Sequence, residues 1–164
     1  MTRPSRRVGL EILIGVAAWS RAVPDVERVC RDAATTAAAV ARRQGSPANL
    51  ALISDRRMRA LNRDFRGHDK PTNVLAFSAG TSPRTGASLG DIAIAFETTR
   101  REARAQNKAL RDHLAHLVVH GVLHLLGYDH QSAIEAEAME RLERIALRRL
   151  GIANPYDERG VPKR

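Results

Sequence analysis

At 164 residues the chain is long enough for one domain with a real core and too short for two comfortable ones. No run of about 18 apolar residues occurs, so no membrane span is expected, and Glu11 interrupts the apolar stretch behind the basic start Met1 to Arg7, which argues against a signal core. A formal charge of +9 favours polyanionic partners such as nucleic acid or an acidic membrane surface. The single cysteine, Cys30, excludes an internal disulfide and fits a reducing, cytoplasmic setting.

Residues 1–7 are expected to be a flexible basic N-terminus. Val8, Leu10, Ile12 and Ile14 alternate with other residues and predict a first strand. Pro24 and Asp25 open an alanine-rich helix to about Gln44, ended by Gly45-Ser46-Pro47. Leu50 to Ile53 is a short second strand. Ser54 can cap a helix whose apolar positions Met58, Leu61 and Phe65 recur at helical spacing and which stops at Gly67. Val74 to Phe77 predicts a third strand, Ser78 to Ser88 a turn-rich loop, and Leu89 to Phe96 a fourth strand. Glu97 to about Asn107 is helical, a helix rich in histidine runs from about Leu110 to Leu126, and Ser132 can cap a last amphipathic helix through Leu150. The expected fold is a single α+β domain over 8–152, with a small mixed four-stranded sheet packed against about five helices and a loose tail at 153–164.

Across the end of the fourth of these helices stands the run His120-Gly121-Val122-Leu123-His124-Leu125-Leu126-Gly127-Tyr128-Asp129-His130. Imidazoles four residues apart project from one helix face, one turn above the other, so His120 and His124 can reach a single ion. Gly127 can take the left-handed conformation that ends a helix, and the following turn can swing His130 back toward the pair. Three nitrogen donors with an open fourth position describe a catalytic zinc site, whereas structural zinc sites usually close the tetrahedron, often with thiolates. No cysteine lies near the run. Apolar residues lie almost all round this helix and mark it as interior, so its imidazoles need partners, and a shared metal supplies them. His113 and His116 share the same face, and a ligand set beginning at His116 is geometrically open. Adjacent turns of straight helix spread ligands along the axis, which favours the later trio and leaves His113 and His116 as groups behind the ligands, substrate contacts or plain helix residues.

The basic residues divide into two kinds. Arg141, Arg144, Arg148 and Arg149 alternate with Glu135, Glu137, Glu140 and Glu143 on the last helix and read as a solvated face. The stretch Arg56, Arg57, Arg59, Arg63, Arg66 and Lys70 precedes a turn-rich segment and is read as part of the site.

Three blocks together resemble the YbeY family of bacterial endoribonucleases. The histidine run resembles its signature; Leu61-Asn62-Arg63-Asp64-Phe65-Arg66-Gly67-His68-Asp69-Lys70-Pro71-Thr72-Asn73-Val74-Leu75-Ala76-Phe77 resembles a second block, and Leu89-Gly90-Asp91-Ile92-Ala93-Ile94 a third. The likeness covers residues 50 to 152 well and only the general layout before that. It implies one Zn2+ per chain held by His120, His124 and His130, and a single-strand-specific endoribonuclease in ribosomal RNA processing, especially at the 3′ end of the small-subunit RNA, and in ribosome quality control. It further implies that Arg66 serves substrate binding and catalysis, and that the partners are single-stranded RNA, ribosomal RNA, the small subunit and assembly factors. Departures are mild: Ser78 stands where many members carry proline, His68 where lysine is common, and Asn73 where aspartate alternates.

The chemistry is sensible without the family. A zinc on three histidines acts as a Lewis acid on a phosphoryl oxygen and lowers the pKa of bound water to about 7. Phosphodiester cleavage also needs positive charge on the developing phosphorane, and an arginine fork such as that of Arg66 matches phosphate oxygens, while Arg59, Arg63 and Lys70 would track the backbone. Two rivals compete. A zinc protease of the metzincin pattern shares the histidine spacing but carries glutamate as general base where this chain has Gly121. A non-catalytic assembly protein whose metal only stabilises the fold would show the same charge and ligands without turnover.

Overall fold

The computed structural model describes residues 9–43, 48–79, 88–129 and 131–153. Alternating apolar residues make four strands, β1 (Leu10–Ile14), β2 (Ala48–Ile53), β3 (Val74–Ser78) and β4 (Gly90–Ala95), joined in the order β1-β2-β4-β3. The first three in that order are parallel, with Ile12 beside Leu50 and Leu50 beside Ile92; β3 closes the sheet as an antiparallel edge, with Ala76 opposite Ile92. Six helices accompany them: α1 (Ala18–Ala22), α2 (Val26–Val40), α3 (Asp55–Arg66), α4 (Phe96–Ala105), α5 (Leu110–Leu125) and α6 (Ala133–Arg149).

The period of two in the strands sorts the side chains into two cores. Leu10, Leu50, Leu52, Ile92 and Ile94 face one way and bury themselves with α2, α5 and α6; Ala51, Leu75 and Ala93 face the other way, where Met58 and Leu61 of α3 pack on them. The sheet thus lies between the exposed basic helix α3 and the buried histidine helix α5. α5 is buried almost all round, as its sequence requires, and packs against α2, α4, α6 and the strands β3 and β4. Gly121 sets how closely it sits on the sheet, because a Cβ there would stand 2.9 Å from Cγ2 of Ile92.

The single α+β domain and mixed four-stranded sheet are as expected, with one correction: there are six helices among the described residues, because α1 follows β1 within a few residues. Five residues without a side-chain cap carry no periodic signal. α1 is held by tertiary packing: Trp19 is fully buried, its Nε1 donates to the carbonyl of Ile53 at 3.2 Å, and its ring meets Phe96 edge-on at 5.0 Å. Two boundaries also move. α2 stops at Val40, four residues short of the expected end, and Phe96, expected to finish β4, is the first residue of α4.

The expected caps form where the sequence places them. Ser54 Oγ accepts from the Arg57 N–H at 3.2 Å, Ser132 Oγ from the Glu135 N–H at 3.1 Å, and Gly67 ends α3 with a φ of 73°. α3 and α4 also cap each other: the Asp55 N–H donates to Glu97 Oε1 at 2.8 Å, while the Thr98 N–H and Oγ1–H donate to Asp55 at 2.9 and 2.7 Å. That reciprocal bond ties the helix carrying Arg66 to the helix that abuts α5. The expected N-terminus 1–7, the centre of the loop 78–88 and all but the first residue of the tail 153–164 lie outside the described residues.

Candidate active site

His120 and His124 lie on consecutive turns near the end of α5, where the helix closes as its sequence predicts. The Tyr128 N–H donates to the Leu123 carbonyl at 3.1 Å and the Gly127 N–H to the His124 carbonyl at 3.0 Å, with Gly127 at a φ of 104°. This pair of bonds is the Schellman stop, in which glycine takes the left-handed position and the chain leaves the helix axis directly behind the two histidines. The third expected ligand, His130, lies outside the described residues, and among the described residues no three potential ligands gather into a metal-holding group.

Behind α5 the histidine face meets carboxylates from two neighbouring helices. Glu143 of α6 is fully buried; His120 Nδ1 donates to its Oε1 at 2.6 Å, and His116 Nε2 stands 3.6 Å from Oε2, close enough for an ion pair but long for a hydrogen bond. Since a carboxylate only accepts, Nδ1 of His120 carries the hydrogen of this bond, and in the neutral ring the lone pair is on Nε2. The His120 side chain remains 28% exposed. The arrangement fits a divalent ion that prefers imidazole nitrogen, with a buried anion one ring away to balance its charge.

His113 belongs to a different set. Its Nε2 bonds Glu102 Oε1 at 2.9 Å, Glu102 also accepts from Asn73 Nδ2 at 3.0 Å, and Asn73 Oδ1 in turn accepts from the Val74 N–H at 2.7 Å. Burial pushes the His113 imidazole below its ordinary pKa against the opposing pull of Glu102, so the ring is neutral at pH 7 and joins α4 and α5 to the start of β3. Of the rival ligands, His113 is therefore committed to Glu102 and His116 is turned toward Glu143.

The basic side of the site lies across β3. Arg66 ends α3, donates from Nη2 to the carbonyl of Ala76 at 3.0 Å, and sets its guanidinium 5.3 Å above the Phe77 ring. Val74, Ala76 and Ser78 turn their backbone groups to the outer edge of the sheet, since the ladder bonds to β4 and its flanks fall on their neighbours, as in Ala95 N–H to Asn73 and Ala79 N–H to Leu89. Ala76 therefore links the two sides. Its side chain packs into the α5 core while its carbonyl holds Arg66. Phe65 is 68% exposed and lies 5.4 Å from Phe77.

The other basic candidates are exposed but differ in readiness. Arg59 is held in a two-point pair with Asp69 at 2.8 and 3.0 Å, Arg63 stands 3.3 Å from Asp64, and Lys70 sits in a short loop whose carbonyl Asn62 Nδ2 holds at 2.8 Å. One feature of the sequence was misjudged. Glu143 appears there as one of several solvated acids on α6, yet it is the one fully buried carboxylate among the described residues. The signal lay in helical phase: Glu143 falls four residues after Met139 and four before Leu147, on the buried stripe.

The fold is a single α+β domain whose buried helix α5 carries paired histidines backed by the carboxylate of Glu143, with the exposed basic helix α3 across the sheet. Comparison with known proteins gives the family. The family model described as endoribonuclease YbeY matches residues 18–151. Similar proteins described as endoribonuclease YbeY include one from Gluconobacter oxydans, 48% identical over 162 residues that cover 95% of this chain and 92% of the relative, and one from Paramagnetospirillum magneticum, 47% identical over 161 residues that cover 92% and 98%. A solution structure of a Thermotoga maritima protein matches 90% of this chain and 98% of its own with a TM-score of 0.54 at 23% identity, a likeness of fold. The chain belongs to the YbeY family of endoribonucleases, hydrolases that act on RNA.

Proposed function

We propose that this protein is a zinc-dependent endoribonuclease that cuts single-stranded RNA in ribosomal RNA processing, at the 3′ end of the small-subunit RNA and in ribosome quality control. His120, His124 and His130 would hold the zinc, and Arg66 would face the scissile phosphate. The observation that supports this reading is the end of α5, where His120 and His124 lie one turn apart, His120 Nδ1 is bonded to Glu143, and Gly127 ends the helix in the left-handed conformation. A zinc held there supplies Lewis acidity toward a phosphoryl oxygen and toward water.

The chain's own residues account for binding and orientation. Arg66 is anchored by one bond to Ala76 and by the Phe77 ring, which orients the remaining guanidinium donors of an exposed side chain for a phosphate. Phe65 offers an exposed ring face beside it, and an unpaired base can stack on such a face whereas a base inside a duplex cannot. Lys70, Arg63 and Arg59 would follow the backbone, with Arg59 the least available because Asp69 occupies its fork. Single-stranded and ribosomal RNA, the small subunit and its assembly factors are the partners this reading expects, in the cytoplasm. No helix of the described residues is long and apolar enough to cross a membrane.

The protease rival loses further ground. Gly121, which occupies the place of the protease base, faces Ile92 of the sheet at a distance that leaves no room for a side chain. Zinc-loaded and zinc-free protein incubated with labelled single-stranded RNA, duplex RNA, DNA and casein tests the proposal. Zinc-dependent cleavage confined to single-stranded RNA is expected. RNA binding that falls steeply with salt but is followed by no cleavage would leave a non-catalytic assembly protein in its place.

A further inference from the structure

Glu143 calls for a physical account, because a carboxylate withdrawn from water destabilises a fold unless it is paired and hydrogen-bonded. It stands on the buried stripe of α6 between Met139 and Leu147, where an apolar residue would pack without that penalty. What the carboxylate does there is grip two histidines of α5 from behind, His120 Nδ1 at 2.6 Å and His116 Nε2 at 3.6 Å.

The grip has a direction. His120 can turn neither its ring nor its tautomer without breaking the Nδ1–H bond to Oε1, so that bond fixes the direction in which Nε2 points. A cation drawn to Nε2 makes the Nδ1–H a better donor, and the buried negative charge behind it balances the ion's charge in a low-dielectric setting. His116 lies one turn before His120 on the same face, and its Nε2 stands 3.6 Å from the other carboxylate oxygen. We propose that Glu143 is a positioning residue that fixes His120 as a metal ligand, and that His116 braces Glu143 instead of ligating. The proposal rests on the zinc reading given above.

The test uses the full-length protein with Glu143→Gln, which removes the charge at nearly constant shape, and Glu143→Leu, which also removes the acceptor. Zinc affinity is measured by competition with a chromogenic chelator, and melting temperature is measured with and without zinc. Affinity is expected to fall by about 10–100-fold. The zinc-induced rise in melting temperature shrinks with it, while the metal-free Gln variant, whose amide oxygen still accepts from His120 Nδ1–H, melts near the wild-type temperature. A purely structural Glu143 would give the opposite pattern, with metal-free stability lowered and zinc affinity unchanged. That result in the Gln variant overturns the proposal even if the Leu variant fails to fold.

Two further variants separate this inference from the reading beneath it. His124→Ala leaves Glu143 untouched. If it binds zinc as wild type does, the site itself is wrong and the proposal falls with it. If it loses zinc while both Glu143 variants keep wild-type affinity, only the positioning role falls. His116→Ala is expected to retain most of the affinity; a loss as large as that of His124→Ala makes His116 a ligand and removes its bracing role.

Discussion

α5 and α3 lie on opposite faces of one sheet and are built on opposite terms. Three of the four α5 histidines face carboxylates: His113 that of Glu102 on α4, His120 and His116 that of Glu143 on α6. The α3 arginines are exposed, and where they have partners these are nearby surface aspartates, Asp69 for Arg59 and Asp64 for Arg63. A metal ligand must stand in one place before the ion arrives, which buried and hydrogen-bonded rings achieve. A surface that follows a polyanion needs reach and charge more than a fixed pose. Arg66 stands between these cases, since it is exposed yet anchored at Ala76 and Phe77.

That contrast can be broken most severely at the histidines. His120→Ala and His124→Ala are expected to lose zinc and RNA cleavage together, with cleavage at background by gel assay and zinc absent by elemental analysis. A variant that keeps both would place the ion elsewhere. Arg66→Ala comes next. It should keep fold and zinc while cleavage falls by about 10²–10³-fold, the scale of removing one donor from a developing anion, and Arg66→Lys should recover only part of it because a point charge lacks the fork. Single-turnover rates with zinc-loaded protein check this, and a loss of zinc in Arg66→Ala would show that the two faces are not separable. Smaller again is Gly121→Ala, whose new methyl presses on Ile92 of the sheet. Denaturant unfolding of the metal-free protein is expected to show a loss of about 1–3 kcal/mol, the usual range for overpacking a filled core. An unchanged midpoint would mean that α5 can lift from β4 freely.

What the sequence made legible was local. Ser54, Ser132, Gly67 and Gly127 act through bonds within a few residues, so their types alone announce where α3, α5 and α6 begin or end. The same holds for His120 and His124, whose shared face follows from helical spacing. What escaped was partnership at a distance. Nothing local to His113 names Glu102, and the five residues of α1 are helical because Trp19 finds Ile53 and Phe96, not because of their own pattern. Glu143 was legible in part: its charge suggested solvent, its phase on α6 suggested the core, and only packing shows which prevails. His130 lies outside the described residues.

The last and smallest test concerns α3, where an ion pair hides one of the charges assigned to RNA. Arg59 and Asp69 meet through two bonds, and the guanidinium holds the Asp69 carboxyl below its usual range. A depressed carboxylate is ionised above its ordinary pKa and is neutralised only as pH falls through the lowered value, so Asp69 carries its charge and competes for the Arg59 fork at neutral pH. A shift of pH around neutrality therefore does not release Arg59, but Asp69→Asn does. The substitution keeps the shape, removes the competing anion and returns the fork to solvent. If Arg59 lies on the RNA path, affinity for single-stranded RNA rises modestly and the slope of log affinity against log salt steepens by about 0.7, the value of one more phosphate contact on a single strand. Filter binding across a salt series measures both quantities. Unchanged affinity and slope in Asp69→Asn would confine the RNA path to Arg66 and its neighbours and leave Arg59 as a surface tie between α3 and the loop that follows it.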